Sequence, residues 1–207
     1  MLGAHSTAER AKPDPTSFVA VKDLLHCPMV AKPLEDPFLM MTGGTFLPWR
    51  WWFDDPSSGR LRAWQWYSSY APSFEAQSWW GDRSDPSFPD DLRFMWMTSA
   101  VKNAATVPVF CDAAGYCVEL YRDKYAPPEC DPIPTISAGN AANVVCMNRH
   151  EGGVNYLFLD WSVRKIGLKE IWTLKWHTQY NTQGPWTIAG GAKPEDWPQW
   201  LRRFKDY

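Results

Sequence analysis

The sequence lacks any apolar run of the 18 or so residues that a membrane-spanning helix requires. Its first sixteen residues, MLGAHSTAERAKPDPT, are polar and contain no apolar core of the kind found in a secretory signal peptide. The chain as written is therefore expected to be soluble, with no visible export signal. We predict a disordered segment over residues 1–16 and one globular domain over residues 17–207, a length that can bury a sizeable core.

An excess of charge of one sign is also missing. The chain has 21 Lys and Arg against 23 Asp and Glu, a net charge of -2, and a pI of about 6.1. Binding through phosphate neutralisation needs a basic face, so the balance argues against a nucleic-acid partner. The basic pairs Arg164-Lys165 and Arg202-Arg203 are small and are typical of a solvated surface.

Motifs of known enzymes are absent: there is no nucleophile elbow, His-Glu-x-x-His helix, P-loop or dinucleotide fingerprint. The four histidines are scattered, which argues against a transition-metal centre: His5, His26, His150 and His177. Two acidic pairs in predicted loops, Asp54-Asp55 and Asp90-Asp91, could contribute to a Ca²⁺ site, although solvated turn residues are the commoner case.

Cysteine is scarce and irregularly spaced, at positions 27, 111, 117, 130 and 146. This pattern fits neither a zinc ribbon nor a complete disulfide framework. Cys111 and Cys117 could close a small disulfide loop, or the cysteines could be buried free thiols. Both alternatives stay open at this point.

Aromatic residues, in contrast, are abundant: 14 Trp, 10 Phe and 8 Tyr accompany 18 Pro and 13 Gly. Bulky rings interrupted by chain breakers favour an α+β domain with a small antiparallel β-sheet and long aromatic loops. Residues 31–100 are predicted to be mostly loop. Alternating and β-branched runs predict five strands, at 61–67, 106–112 (the central one), 142–147, 154–159 and 162–166. Helical spacing of apolar residues predicts two C-terminal helices, at 168–177 and 194–204.

The loop-rich half is rich in tryptophan. Flat rings with a polar edge could stack on sugars, but packing of loops onto the sheet is the more favoured interpretation because each ring offers a large area for burial. Trp-Trp pairs beside Gly are also typical of protein interfaces. The residues concerned are Trp49, Trp51, Trp52, Trp64, Trp66, Trp79 and Trp80.

The stretch RHEGGVNYLFLDWSVRKIGL, residues 149–168, invites a catalytic interpretation because Arg149-His150 precedes Asp160. A strand over 154–159 would, however, separate His150 from Asp160 by roughly 20 Å, which prevents direct proton transfer. We therefore predict that each closes a turn at one end of the strand, with a hairpin around Asp160-Trp161. His177 and Asp112 could approach either residue in three dimensions, but nothing local indicates it.

The same stretch resembles the His-x9-Asp-Gly signature near the C-terminus of the major, G-like pseudopilins of type II secretion. The string NYLFLDWSVRKIGLKEIWTLKWH resembles a subgroup in which Asp-Trp replaces Asp-Gly. HCPM at 26–29 resembles the Cys-Pro that opens the globular part, and VPVFCD at 107–112 resembles the central strand. The resemblance covers roughly residues 20–207.

The chain departs from that family in two respects. The leader motif Gly-Phe-Thr-Leu-Ile-Glu and its apolar helix are not in the sequence. Trp161 replaces the signature Gly, and because Trp does not readily adopt the positive φ of Gly, the turn type is left open.

The resemblance implies a non-enzymatic structural or assembly protein at the periplasmic side or cell surface, without cofactors. Its partners would be other pseudopilin subunits or secretion-system components, and it would meet a membrane only through an N-terminal helix. The alternative is a carbohydrate-binding module with an exposed Trp face. A hydrolase using His150 or His177 is the third and least favoured hypothesis.

Overall fold

The computed structural model describes residues 27–28, 30, 49–55, 60–73, 96, 98, 100–115, 118, 123–131 and 142–207, and of residues 49–55 and 60–67 it describes the backbone alone. The described strands form a two-stranded sheet and a four-stranded antiparallel sheet. With a few short helices they make a small α+β-like domain, as the composition predicts. The predicted disorder of residues 1–16 lies outside the described residues.

The two-stranded sheet lies in the segment that was predicted to be mostly loop. Strand β1 (Trp49–Asp55) pairs antiparallel with β2 (Arg60–Ser68), which places Trp51 opposite Trp66. β2 confirms the strand predicted at 61–67. The loop prediction was wrong for β1, whose aromatic sequence WRWWFDD has high β-propensity, and Asp54-Asp55 therefore belong to a strand.

The main sheet has the order β3-β4-β5-β6, with β3 (Tyr70–Pro72), β4 (Pro108–Asp112), β5 (Gly153–Phe158) and β6 (Val163–Gly167). β4 is interior, which confirms the predicted central strand. Its proline is the first residue, where a missing N–H costs least. β5 and β6 form the predicted hairpin, with Val154 opposite Ile166.

The turn between β5 and β6 is closed by Asp160. Its Oδ1 accepts hydrogen bonds from the Ser162 backbone N–H at 2.9 Å and from the Ser162 hydroxyl at 2.6 Å. These two bonds lower the pKa of Asp160. The Trp161 N–H donates to the Phe158 carbonyl at 2.9 Å, and Trp161 takes φ 66°. The turn type, which the sequence left open, is thus one in which Trp161 adopts the positive φ that Gly takes more readily, held by hydrogen bonds on both sides.

The helices are shorter than the sequence predicts. Residues 142–147 do not form a strand: Ala142–Val145 is one turn of α-helix (α1), closed by the Cys146 N–H donating to the Ala142 carbonyl. A 3₁₀ helix over Leu168–Thr173 replaces the longer helix predicted at 168–177, and it buries Leu168, Ile171 and Trp172.

The helix predicted at 194–204 is reduced to a 3₁₀ turn over Pro194–Asp196. Trp197 is extended, with ψ 146°, because it precedes Pro198, and a residue before proline is pushed out of the helical region. Isolated turns follow, such as the one in which the Leu201 N–H donates to the Pro198 carbonyl.

Tryptophans of the C-terminal part fill the core beside the sheet. Trp172 and Trp176 are buried, and their ring N–H groups donate at 2.9 Å to the carbonyls of Tyr125 and Ile171 respectively. Trp172 meets Trp197 edge to face at 5.4 Å, and Tyr156 of β5 meets Trp176 in the same way at 6.0 Å. Among the described residues no helix is long and apolar enough to span a membrane.

Replacing Trp161 with Gly is expected to raise the free energy of unfolding by about 0.5–1 kcal/mol, because Gly adopts a positive φ without steric cost and the ring is 78% exposed. Urea denaturation measures the change. Trp161→Ala, which keeps the Cβ, is the control and should show no gain. Equal stabilities of the two variants would contradict a strained turn.

Candidate functional site

Three segments that are remote in sequence meet at the end of β5 where the chain enters it. Cys27 comes from the Cys-Pro turn, Asp112 is the last residue of β4, and His150 lies just before β5. We call them the Cys27–Asp112–His150 centre. Their thiol, carboxylate and imidazole ligand atoms lie within 4.8 Å of one another.

Both other residues of the centre contact one atom, His150 Nε2. It lies 3.0 Å from Asp112 Oδ2, 3.3 Å from Cys27 Sγ and 3.0 Å from Asn155 Nδ2. A ring nitrogen carries either one proton or one lone pair, so it can satisfy one of these neighbours well and not three.

Asp112 is held by its neighbours in the sheet. The β4–β5 pairing sets Cys111 opposite Tyr156, and the next residue along β5, Asn155, donates its backbone N–H to Asp112 Oδ2 at 2.8 Å. The other oxygen, Oδ1, lies 3.8 Å from Arg149 Nη1 and has no hydrogen bond from the described residues. The Asp112 carboxylate is therefore fixed in orientation but only partly satisfied.

Arg149 connects this carboxylate to Ser69, the residue just before β3. Its side chain is fully buried, and Nη1 donates to the Ser69 carbonyl at 2.7 Å. Ser69 also accepts the Cys27 backbone N–H on its hydroxyl. The chain from Ser69 through Arg149 to Asp112 joins the Cys-Pro turn, β3 and β4.

The centre is largely shielded from solvent. The side chains of Asp112 and Arg149 are 0% exposed and that of His150 is 19% exposed. Burial lowers the pKa of Arg149, and the Asp112 carboxylate opposes this shift. Burial, then the charge of Asp112, raises the pKa of Tyr70 to about 12, and burial followed by Asp112 raises that of Cys111. An ion pair in such surroundings is costly to break.

A tight turn leads from His150 into β5. Glu151 and Gly152 both have positive φ, at 49° and 84°, and the Gly152 N–H donates to Asn148 Oδ1 at 2.6 Å. A Cβ on Gly152 would lie 2.9 Å from the Phe204 ring. Gly152 therefore permits both the positive φ of the turn and the close approach of Phe204 in the C-terminal segment.

His150 and Asp160 are not brought together. They flank β5 at its two ends: His150 contacts Cys27 and Asp112, whereas Asp160 closes the hairpin with Ser162. Asp112 does approach His150, which no local pattern indicated. His177 packs against Tyr180, with ring centroids 5.4 Å apart, and is not part of the centre.

The scattered histidines suggested that no cluster with metal-ligating groups would form, and that expectation overlooked Cys27 and Asp112. A signal was available, since HCPM and VPVFCD, two of the strings that carry the family resemblance, contain these residues. The geometry does not form a nucleophile-base-acid triad, because such a triad uses both ring nitrogens of its histidine. Here Cys27 and Asp112 share one nitrogen.

The other predicted site residues fall largely outside the described side chains. Cys111 is a buried free thiol, which agrees with the second alternative for the cysteines, and Cys117 lies outside the described residues. Trp79, Trp80 and Asp90-Asp91 lie outside them as well. For β1 and β2 only the backbone is described, so the side chains of Asp54-Asp55 and of five tryptophans are not: Trp49, Trp51, Trp52, Trp64 and Trp66.

Comparison of the chain with family models, with curated proteins and with solved structures finds no match.

Replacing Arg149 with Met should lower the free energy of unfolding by about 3–5 kcal/mol, because it leaves the buried Asp112 carboxylate without its cation. Chemical denaturation measures the loss. The control is Arg203→Met, which removes an exposed guanidinium lying 4.8 Å from the Phe204 ring and should cost at most about 1 kcal/mol. Similar losses in both variants would contradict a structural role for the Arg149–Asp112 pair.

Proposed function

We propose that the chain is a non-enzymatic assembly protein, equivalent to the globular domain of a G-like type II secretion pseudopilin and acting at the periplasmic side or cell surface. Its partners are then further subunits of the same kind and other components of the secretion system. The small antiparallel sheet and the hairpin over the His-x9-Asp segment are compatible with this proposal.

One observation carries the proposal: the conformation and exposure of Trp161. A bulky residue with positive φ costs about 1 kcal/mol or more, and here the ring recovers little of that cost by burial, because it is 78% exposed. Val163, two residues on, is 72% exposed. A large apolar ring kept in a strained, exposed turn is typical of a residue selected for contact with a partner.

The candidate site also favours assembly over catalysis. Three polar residues in or beside the His-x9-Asp segment are occupied by internal contacts: Arg149 and His150 bind Asp112, and Asp160 closes a turn. Cys27 and Asp112 are buried, which leaves little room for a substrate at either group. The segment therefore supports the fold at one end of β5 and presents an apolar surface at the other.

The test is the fate of Trp161→Gly in the cell that encodes the protein. The variant is expected to be as stable as the wild type or more stable, yet to be reduced roughly tenfold in the sheared fibre fraction, because a central interface Trp contributes at least that factor to binding. Quantitative immunoblotting of fibre and cell fractions measures the ratio. Ile188→Ser is the matched control, since Ile188 is 58% exposed at another place on the surface.

Normal fibre incorporation of Trp161→Gly, or a wild-type chain that never enters the fibre fraction, would sink the proposal. A titration of Trp fluorescence with polysaccharides separates the carbohydrate-binding alternative. Two results together would favour that alternative: a glycan quenches the Trp fluorescence of the wild type saturably, and fibres grow normally in cells that lack the protein.

A further inference from the structure

We propose that Cys27, Asp112 and His150 bind a divalent transition-metal ion, with Zn²⁺ as the best fit. The site is independent of the assembly role of Trp161, which lies at the other end of β5. Its function is to fasten the Cys-Pro turn to the main sheet.

The spacing of the three ligand atoms is close to that of a metal site. Zn²⁺ holds sulfur at about 2.3 Å and nitrogen or oxygen at about 2.0–2.2 Å, so its tetrahedral ligands lie roughly 3.3–3.8 Å from one another. His150 Nε2 is 3.3 Å from Cys27 Sγ and 3.0 Å from Asp112 Oδ2. The third separation, between the ligand atoms of Cys27 and Asp112, is within 4.8 Å, so shifts of at most about 1 Å bring all three atoms to tetrahedral spacing. Cys27 and Asp112, which compete for one ring nitrogen of His150, would then each bind the same ion as His150 does.

The set of donors selects the kind of metal. A thiolate and an imidazole are ligands of Zn²⁺ and its neighbours in the transition series, whereas Ca²⁺ and Mg²⁺ prefer oxygen alone. On binding, the Cys27 proton leaves to solvent, and the thiolate and the Asp112 carboxylate together cancel the charge of the ion. Asn155 lies beside the same nitrogen, and a half-turn of its amide presents the oxygen as a fourth ligand.

The neighbouring groups resemble the outer shell of a metal site. The Asn155 backbone N–H orients Asp112 Oδ2, Arg149 faces the other carboxylate oxygen, and the Cys27 N–H is held by the Ser69 hydroxyl. Such outer hydrogen bonds fix the ligands in a binding geometry. The 19% exposure of His150 leaves an entry path for the ion.

A bound ion would act as a cross-link between distant parts of the chain. Cys27 and His150 are 123 residues apart, so the ion closes a long loop, and closing long loops restricts the unfolded chain most. Metal binding should therefore raise thermal stability as well as order the Cys-Pro turn.

Binding of Co²⁺ and Zn²⁺ to the full chain, first stripped with a chelator, tests the site. Co²⁺ should produce the near-ultraviolet charge-transfer band of a Co²⁺–thiolate bond and the visible bands of tetrahedral Co²⁺, both abolished by one equivalent of Zn²⁺. Zn²⁺ at a hundred times its Kd should raise the Tm by roughly 5–10 °C. Cys27→Ser and His150→Gln should each weaken Co²⁺ binding by on the order of 100-fold.

Cys130→Ser is the matched control, because Cys130 is exposed and outside the centre, and it should keep both the band and the Tm shift. Circular dichroism of each metal-free variant establishes that it is folded. A folded wild type without the thiolate band, or a band that persists in Cys27→Ser, would overturn the proposal. Rapid alkylation of Cys27 by iodoacetamide would also overturn the proposal if it requires His150 and is not slowed by Zn²⁺. Such alkylation is the behaviour of a reactive thiolate-imidazolium pair.

Discussion

The buried carboxylate of Asp112 is the interaction on which the rest of the described structure depends. It ends the central strand β4 and receives the Asn155 N–H of β5, the imidazole of His150 and the guanidinium of Arg149. Through Arg149 and Ser69 it also reaches the Cys-Pro turn and the start of β3. An isolated charge with no exposure would be too costly to keep, so these groups have to assemble together.

This dependence gives the two ends of β5 different roles. At the end where the strand begins, polar groups are sealed inside and hold separate segments together. At the end where it turns into β6, one carboxylate fixes a hairpin and leaves Trp161 in solvent. The nine residues between His150 and Asp160 thus set the length of a strand, and a change in that length would misplace either the buried centre or the exposed ring.

Sequence reasoning succeeded for the central strand and the hairpin, and it failed for the short helices. The β5–β6 hairpin and the central strand follow from alternation and turn residues, and the structure confirms both. The C-terminal helices were overestimated, because apolar spacing alone did not show that Pro198 would hold Trp197 extended. The strand predicted at 142–147 is a turn of helix for which short-range propensity gave no warning.

That Cys27, Asp112 and His150 meet at one place could not be predicted from the sequence, because the contact depends on the register of the sheet. Pairing of β4 with β5 shifts between Pro108 and Phe110, and a shift of one residue moves a side chain to the opposite face of a sheet. No pattern near Asp112 indicates that irregularity. Nothing local indicates either that Cys27 contacts His150, which is 123 residues away in the sequence. What the sequence does carry is the ligand types, each beside a rigid feature: Cys27 before a proline, Asp112 at the end of a strand and His150 before a glycine turn. Thiol, imidazole and carboxylate groups at such fixed positions are therefore candidate ligands, and the register of the sheet decides which of them meet.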